Sequence, residues 1–324
     1  MKPPVLITRV LPQPATDLVQ AACEVQLDRA DRQLSPQELC QAVAGKVGLL
    51  CLITDRIDAG VLDAGTELKV VANIAVGYDN IDVQAATERG IVVTNTPGVL
   101  TETTADLAWA LLLSIARRIS EAERYVRAGK WHEWKLMLMT GHDVYGQTLG
   151  IVGMGRIGQA VARRAQGFGM RVLYHNRRRA DAVLEADLGA TWVELPTLLQ
   201  EADFVSLHVP LSPETTHLIG EAELRLMRPT SYLINTARGA VVNEQALVRA
   251  LQEQWIAGAA LDVFEHEPHV PHDLLRLENV VVVPHIGSAS VATRTRMAVM
   301  AAQNLIAAVR DQRPPYVVNP EVYT

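Results

Sequence analysis

Three glycines constrain this chain more than any other feature. Gly153, Gly155 and Gly158 stand in GIVGMGRIGQAVARR, a GxGxxG set between an apolar run and a helical one. In that setting the first glycine permits a tight turn, the second lets the backbone approach a phosphate, and the third allows helix and strand to pack closely. The N–H groups and dipole at the helix start then favour an anion. A GxGxxG alone is a weak signal, but at a strand-to-helix junction it reads as the pyrophosphate seat of a dinucleotide. The segment is therefore expected to open a doubly wound α/β sheet.

The rest of the chain has the same rhythm. Before the glycines, Val5 to Thr8, Gly48 to Ile53, Lys69 to Asn73 and Ile91 to Thr94 are brief apolar runs of the kind buried on both faces of a parallel sheet. Ala15 to Ala22, Ser35 to Val43 and Asp82 to Arg89 read as the helices between them. Thr101 to Ala128 reads as one long helix, with Gly129 just past its end. After it a second series runs from Leu149 through Arg171 to His175, Phe204 to His208, Tyr232 to Asn235, Gly258 to Asp262 and Val280 to Val283. Ala289 to Val309 is again helical, and a tail follows from Pro314. At 324 residues the chain exceeds what one core usually supports. Two βαβ series and that length predict two α/β domains, each a doubly wound parallel sheet.

Composition narrows the partners. The formal charge is −6, and the one basic cluster is Arg177, Arg178 and Arg179, so neither nucleic acid nor an anionic membrane is an expected partner. No apolar stretch approaches the roughly 20 residues of a spanning helix. The N-terminus has no apolar signal-like core. Cys23, Cys40 and Cys51 lack metal-site spacing and are an odd set, which predicts free, buried thiols, no metal site and a cytoplasmic setting.

The dinucleotide type is written just after the second strand of the glycine series. An acidic residue there accepts hydrogen bonds from a ribose 2′-hydroxyl, whereas arginine accommodates a 2′-phosphate. This chain has Asn176, then Arg177, Arg178 and Arg179. Asparagine does not repel a phosphate and guanidinium groups bind it in a fork. The expected cofactor is NADPH, with NADH weaker; a solvated basic loop is the plainer reading.

Three later segments carry candidate chemistry: INTARGAVV with Arg238, ALDVFEHEP with Asp262 and Glu267, and VVVPHIGSAS with His285. Each comes at or just after a predicted strand, where loops at the carboxyl ends of a parallel sheet place ligand-binding residues. With LLCLITDRID, AVGYDNID, VTNTPGVLTETTADLAWALLLSIARR and GKWHEWK, these segments resemble, in order and spacing, the D-isomer-specific 2-hydroxyacid dehydrogenases along the whole chain. The glyoxylate/hydroxypyruvate reductase branch is the most similar.

The resemblance implies a substrate domain of flavodoxin-like fold from residues 1–99 and 289–324, and an inserted Rossmann NAD(P) domain at 100–288. A dimerisation arm would lie at about 115–148, and the chain would be a homodimer. It implies reduction of a small 2-keto acid to the D-2-hydroxy acid, with His285 as acid/base, Glu267 as its carboxylate partner and Arg238 on the substrate's carboxylate. Histidine suits proton transfer near neutral pH, and a guanidinium meets two carboxylate oxygens in one plane. Val76 and Gly77 would offer backbone N–H groups to the same carboxylate, with Leu52 and Leu138 lining the pocket. Leu138 would come from the partner's arm, although Trp131 and Trp134 beside it suit plain interface packing equally.

Thr104, Arg156, Ile157, Val209, Pro210, Thr215, Thr236, Ala237, Arg238, Asp262, His285 and Gly287 match positions lining the cofactor in relatives. For Ile157 or Val209 alone, core packing is the simpler account. A 2-ketogluconate reductase, a phosphite dehydrogenase and a dinucleotide-sensing corepressor of the C-terminal-binding-protein type resemble the same pattern. The motifs do not separate the first two from a glyoxylate reductase, because they bind the acid group and not the side chain.

Overall fold

Apolar runs of three to five residues without alternation become strands covered on both faces, and both sheets are made of them. The computed structural model describes residues 1–27 and 30–324. Two compact units emerge, residues 1–100 with 288–324 and residues 101–287.

The first unit holds β1 (Pro4–Ile7), β2 (Glu24–Leu27), β3 (Gly48–Cys51), β4 (Val70–Asn73) and β5 (Val92–Thr94), in the order β2-β1-β3-β4-β5 with every pairing parallel. The flavodoxin order and the parallel direction follow from right-handed helical crossovers. β3 and β4 are buried at every position, whereas the edge strand β2 alternates exposed and half-buried residues. The helix Val291–Val309 packs against β3 and β4, and its Leu305 lies so close that a Cβ at Gly48 would sit 2.8 Å from it.

The second unit holds β6 (Thr148–Val152), β7 (Arg171–His175), β8 (Ala190–Trp192), β9 (Phe204–Leu207), β10 (Tyr232–Asn235), β11 (Gly258–Leu261) and β12 (Val280–Val282). Their order is β12-β11-β10-β9-β6-β7-β8, again wholly parallel. The strand order reverses between β6 and β9. Ligands of open α/β sheets bind beyond the carboxyl ends of the strands at such a reversal. Apolar cores fill both faces, one around Leu149, Tyr174 and Phe204 and the other around Leu173, Leu233 and Ala259.

The stretch expected as one helix from Thr101 to Ala128 is two, Thr101–Ala116 and Ile119–Arg127. The break has a tertiary cause. The Ala116 carbonyl accepts from the N–H of His142 at 2.8 Å, and a side chain at Gly141 would strike that carbonyl. Arg118 turns into the left-handed region and its guanidinium grips Glu121 in a fork at 2.7 Å. All three cysteines are free, but Cys40 is only half-buried, contrary to expectation, because it sits on the flank of its helix. Among the described residues no helix is long and apolar enough to cross a membrane, and no cluster of His, Cys, Asp and Glu is placed to hold a metal ion.

Candidate active site

β6 runs into the glycine turn, and the turn explains its glycines one by one. Gly153 has a left-handed φ of 102°, and a Cβ there would lie 2.7 Å from the His208 carbonyl carbon. A Cβ at Gly158 would lie 2.2 Å from the Gly153 oxygen. At Gly155 nothing stands within 4 Å, and no side chain caps the helix Arg156–Gly167 that begins after it. An uncapped helix start beside an open backbone is a seat for an anion. These residues fit the pyrophosphate of a nicotinamide dinucleotide.

At the end of β7 the side chain of Asn176 closes back on this turn. Its Oδ1 accepts from the Met154 N–H at 2.7 Å, while its carbonyl accepts from the Trp192 indole at 3.2 Å. The oxygen is thus spent inside the protein, and Nδ2 supplies the remaining donors. All three arginines are exposed. Arg179 forks onto Glu185 with two 2.8 Å bonds, and the Tyr174 hydroxyl adds a third at 2.6 Å. Arg179, then Tyr174, hold the Glu185 carboxyl down to about 2. Arg179 is therefore a structural residue of the loop.

Among the remaining expected cofactor residues, Thr236 stands out. Its hydroxyl is buried just past β10 without a hydrogen-bond partner among the described residues, as a ligand-facing group would be. Ala237 follows it, with its N–H bonded to Asn235 Oδ1 at 3.0 Å. Thr104 and Asp262 gather around Gly287, where a Cβ would lie 3.1 Å from Asp262 Oδ2 and 3.4 Å from Thr104 Cγ2. Thr215 spends its hydroxyl on its own loop, donating to the Pro210 carbonyl at 2.7 Å and accepting from Ser212 N–H at 2.8 Å. Ile157 and Val209 are half-buried and pack against the apolar cores, and Arg156 and Pro210 are exposed.

Beyond β11 and β12 the geometry tightens. Asp262, 1% exposed, accepts from Ile286 N–H at 2.6 Å and Gly287 N–H at 2.8 Å, and its carbonyl accepts from His285 N–H at 2.8 Å. Those three bonds hold His285 at a left-handed φ of 51°. Burial pushes the Asp262 carboxyl up, against the pull of those two N–H groups and of His285. Expected as a cofactor-positioning residue, Asp262 also clamps the histidine's loop.

His285 Nδ1 lies 2.7 Å from Glu267 Oε2, and Glu267 Oε1 accepts from Phe264 N–H at 3.0 Å. Burial alone would raise the Glu267 carboxyl. The bond and charge of His285, the Phe264 N–H and the field of Arg238 outweigh it and hold the group below the usual carboxylate range. Glu267 therefore stays ionised at neutral pH and presents a carboxylate to the ring nitrogen.

Arg238 follows β10 on an extended backbone. Its carbonyl accepts from Asn235 Nδ2 at 2.9 Å, and its Nη1 donates to the Ala237 carbonyl at 2.8 Å. Next to it, Gly239 is pressed against the Phe264–Glu265 peptide: a Cβ would lie 1.9 Å from the Phe264 carbonyl carbon. The N–H of Glu265 in turn donates to Glu244, a buried carboxyl, at 2.8 Å. In this way the arginine's loop and the glutamate's loop abut within the second unit. Leu138, half-buried, is also in that unit, in a turn where Trp131 and Trp134 are exposed. Leu52, Val76 and Gly77 belong to the first unit.

Sequence reasoning passed over His208 and Glu244. His208 follows β9, its backbone against Gly153 and its Nε2 2.8 Å from Ser206 Oγ. Burial holds its pKa down to about 4. With an unfolded value near 6.5, the neutral imidazole contributes stability that is full above about pH 6.5 and is lost as pH falls toward 4. Urea unfolding at pH 7.0, 5.5 and 4.5 is expected to show that loss, on the order of 1–2 kcal/mol for a partly accessible group, and His208→Asn should flatten it. Equal slopes for both proteins would contradict the assignment. The only sequence signal was a polar residue closing a buried strand.

Comparison with known proteins matches this geometry. The family described as "D-isomer specific 2-hydroxyacid dehydrogenase, NAD binding domain" matches residues 109–287. The chain is 57% identical to a glyoxylate reductase of Korarchaeum cryptofilum over 99% of its own length and 97% of the relative's. It is 50% identical to the glyoxylate reductase of Thermococcus litoralis over 100% and 99%. The crystal structure of the TT0316 protein from Thermus thermophilus superposes with a TM-score of 0.91 at 49% identity, covering 97% of this chain and 99% of that one. An NADPH-dependent glyoxylate/hydroxypyruvate reductase from Sinorhizobium meliloti, solved with NADP and malonate, gives 0.88 at 35% identity over 99% and 98%. The chain belongs to the D-isomer-specific 2-hydroxyacid dehydrogenase family and is an NAD(P)-dependent enzyme of it.

Proposed function

We propose that the protein reduces glyoxylate and hydroxypyruvate to glycolate and D-glycerate with a preference for NADPH, as a homodimer. The observation that carries this reading is the His285–Glu267 pair at 2.7 Å, within the field of Arg238. When bound, the nicotinamide supplies the hydride that reaches the carbonyl carbon. The protein supplies the rest. His285 gives the proton from Nε2 to the carbonyl oxygen, while Nδ1 stays on the Glu267 carboxylate, which fixes the ring and steadies the imidazolium before transfer. Arg238 grips the substrate carboxylate and polarises the carbonyl beside it. N–H groups of Val76 and Gly77 are the further donors assigned to that carboxylate, with Leu52 and Leu138 as pocket residues.

The cofactor preference rests on Asn176, which adds no negative charge, and on exposed Arg177 and Arg178. The relatives named glyoxylate reductase and the NADPH-dependent reductase of known structure support the substrate class and the cofactor. Initial rates with glyoxylate, hydroxypyruvate, pyruvate, 2-ketogluconate and phosphite, each with NADPH and NADH, test both. Glyoxylate with NADPH is expected to lead, and Arg177→Ala with Arg178→Ala to raise the NADPH KM about tenfold while leaving NADH within about twofold, as loss of phosphate contacts implies. Equal kcat/KM with the two cofactors in the unaltered enzyme would refute the preference.

A further inference from the structure

The loop after β4 has its carbonyls held from behind, one after another. The Ala75 carbonyl accepts from the backbone N–H of Thr96 at 2.8 Å. The Val76 carbonyl accepts from Asn95 Nδ2 at 2.8 Å, and the Gly77 carbonyl from Asn73 Nδ2 at 3.0 Å. In a trans peptide the C=O and the following N–H point in opposite directions. Pinning these three carbonyls therefore turns the N–H groups of Val76, Gly77 and Tyr78 the other way. Among the described residues none of those three N–H groups donates to a protein acceptor.

The pins are themselves fixed. Asn73 is fully buried at the end of β4, and its Nδ2 also donates to Asn80 Oδ1 at 3.0 Å. Asn80 Nδ2 holds the carbonyls of Leu52 at 3.1 Å and Asp55 at 3.0 Å, and buried Asp55 accepts from the Leu52 N–H at 2.9 Å. The carbonyl of Asn95 accepts from Asn304, buried on the helix Val291–Val309, at 3.1 Å. Side-chain amides at 73, 80 and 95 thus tie the loop of Val76 and Gly77 to the segment of Leu52. Uncharged donors suit the task, because a lysine or arginine behind the loop would itself attract the anion.

We propose that Asn95 and Asn73 are positioning residues for substrate binding, holding the Val76–Tyr78 peptides with their N–H groups turned toward the carboxylate of the keto acid, and that Tyr78 N–H is a third donor. The inference rests on the reading that this loop receives the carboxylate. Without the Asn95 pin the Val76–Gly77 peptide is free to rotate and offer its oxygen, which repels an anion. The expected mark is a change in KM for the acid and not in the chemical step or in cofactor binding.

The test compares Asn95→Ala, Asn95→Asp and Arg238→Lys in the full-length enzyme, with glyoxylate and NADPH as varied substrates. Asn95→Ala is expected to raise the glyoxylate KM about tenfold, with kcat and the NADPH KM within about twofold, and Asn95→Asp to raise it further, because it sets a carboxylate oxygen, an acceptor, against the Val76 carbonyl oxygen. Should Asn95→Ala fail to fold, Asn95→Asp keeps shape and volume and is read in its place. If Arg238→Lys raises the glyoxylate KM while the folded Asn95 variants leave it within twofold, the positioning role is wrong. If Arg238→Lys also leaves it unchanged, the carboxylate-site reading is what fails. A fall in kcat with KM unchanged would likewise overturn the inference.

Discussion

Replacing His285 with glutamine should lower kcat for glyoxylate reduction by about 10³-fold, within the range that a positioned general acid contributes. Glutamine keeps a polar side chain of similar reach but has no proton to transfer. NADPH binding, followed by fluorescence titration, should change by less than about threefold, because the glycine turn and the arginines lie elsewhere. Glu267→Gln should cost about 10²-fold, since a neutral amide leaves the imidazole in place without favouring its charged form.

The pH dependence follows in sign. The Glu267 carboxyl lies below the usual carboxylate range and so does not titrate near neutrality. For reduction His285 must carry a proton on Nε2 and for oxidation of the hydroxy acid it must lack one, so the two directions should respond to pH in opposite senses. In Glu267→Gln the carboxylate 2.7 Å from Nδ1 is gone, so the pH–rate profile should change. Because Glu267 is depressed in the folded protein, its contribution to stability is present above the unfolded carboxylate value and is lost as pH falls through the folded one. A pH–rate profile unchanged by Glu267→Gln would falsify the pairing as a functional one.

Gly239→Ala is the second large effect, and it comes from packing. The new Cβ would lie 1.9 Å from the carbonyl carbon, 2.1 Å from the oxygen of Phe264 and 2.3 Å from the nitrogen of Glu265. All three are main-chain atoms, which have no rotamer to escape into. The peptide must move by more than an ångström, and both N–H bonds to carboxylates go with it, those of Phe264 to Glu267 and of Glu265 to Glu244. Overpacking with two disturbed, partly buried hydrogen bonds should destabilise the protein by about 3 kcal/mol or more. That is a drop in Tm of roughly 6–12 °C for a unit of this size. Residual folded enzyme should lose about 10²-fold in kcat, because misplacing the glutamate's loop by an ångström misplaces the imidazole it holds. Calorimetry and kinetics on the same sample separate the two losses. A variant with unchanged Tm would show that the contact is looser than drawn.

What could be read from the residues alone divides by range of interaction. The parallel α/β class was legible because Gly48 to Cys51, Val70 to Ala72 and Tyr232 to Ile234 are short apolar runs without alternation, as strands buried on both faces require. The glycine turn was legible because its spacing is local. The edge strands β2 and β8 escaped notice: both are short and half exposed, so nothing in their composition separates them from loop. The helix break at Arg117 and Arg118 depended on His142 taking the Ala116 carbonyl from 26 residues away. Local propensity favours a helix straight through that point, and a tertiary hydrogen bond decides otherwise. The same holds at the site. Arg177 and Arg179 are identical in sequence terms, yet Glu185 captures only the second. Thr215 carries a hydroxyl suited to a ligand, and its loop uses it first.

The helix Val291–Val309 has a consequence in time. Leu305, Ala301 and Ala298 complete the core that Val5, Leu50 and Val70 begin, so these strands are covered by residues made more than two hundred positions after them. A chain leaving the ribosome finishes the uninterrupted unit of residues 101–287 while one face of the first sheet still lacks part of its cover. That face is apolar and faces solvent for as long as some two hundred further residues take to translate, roughly 10–40 s at 5–20 residues per second. Newborn chains therefore offer a hydrophobic surface that the finished protein does not have.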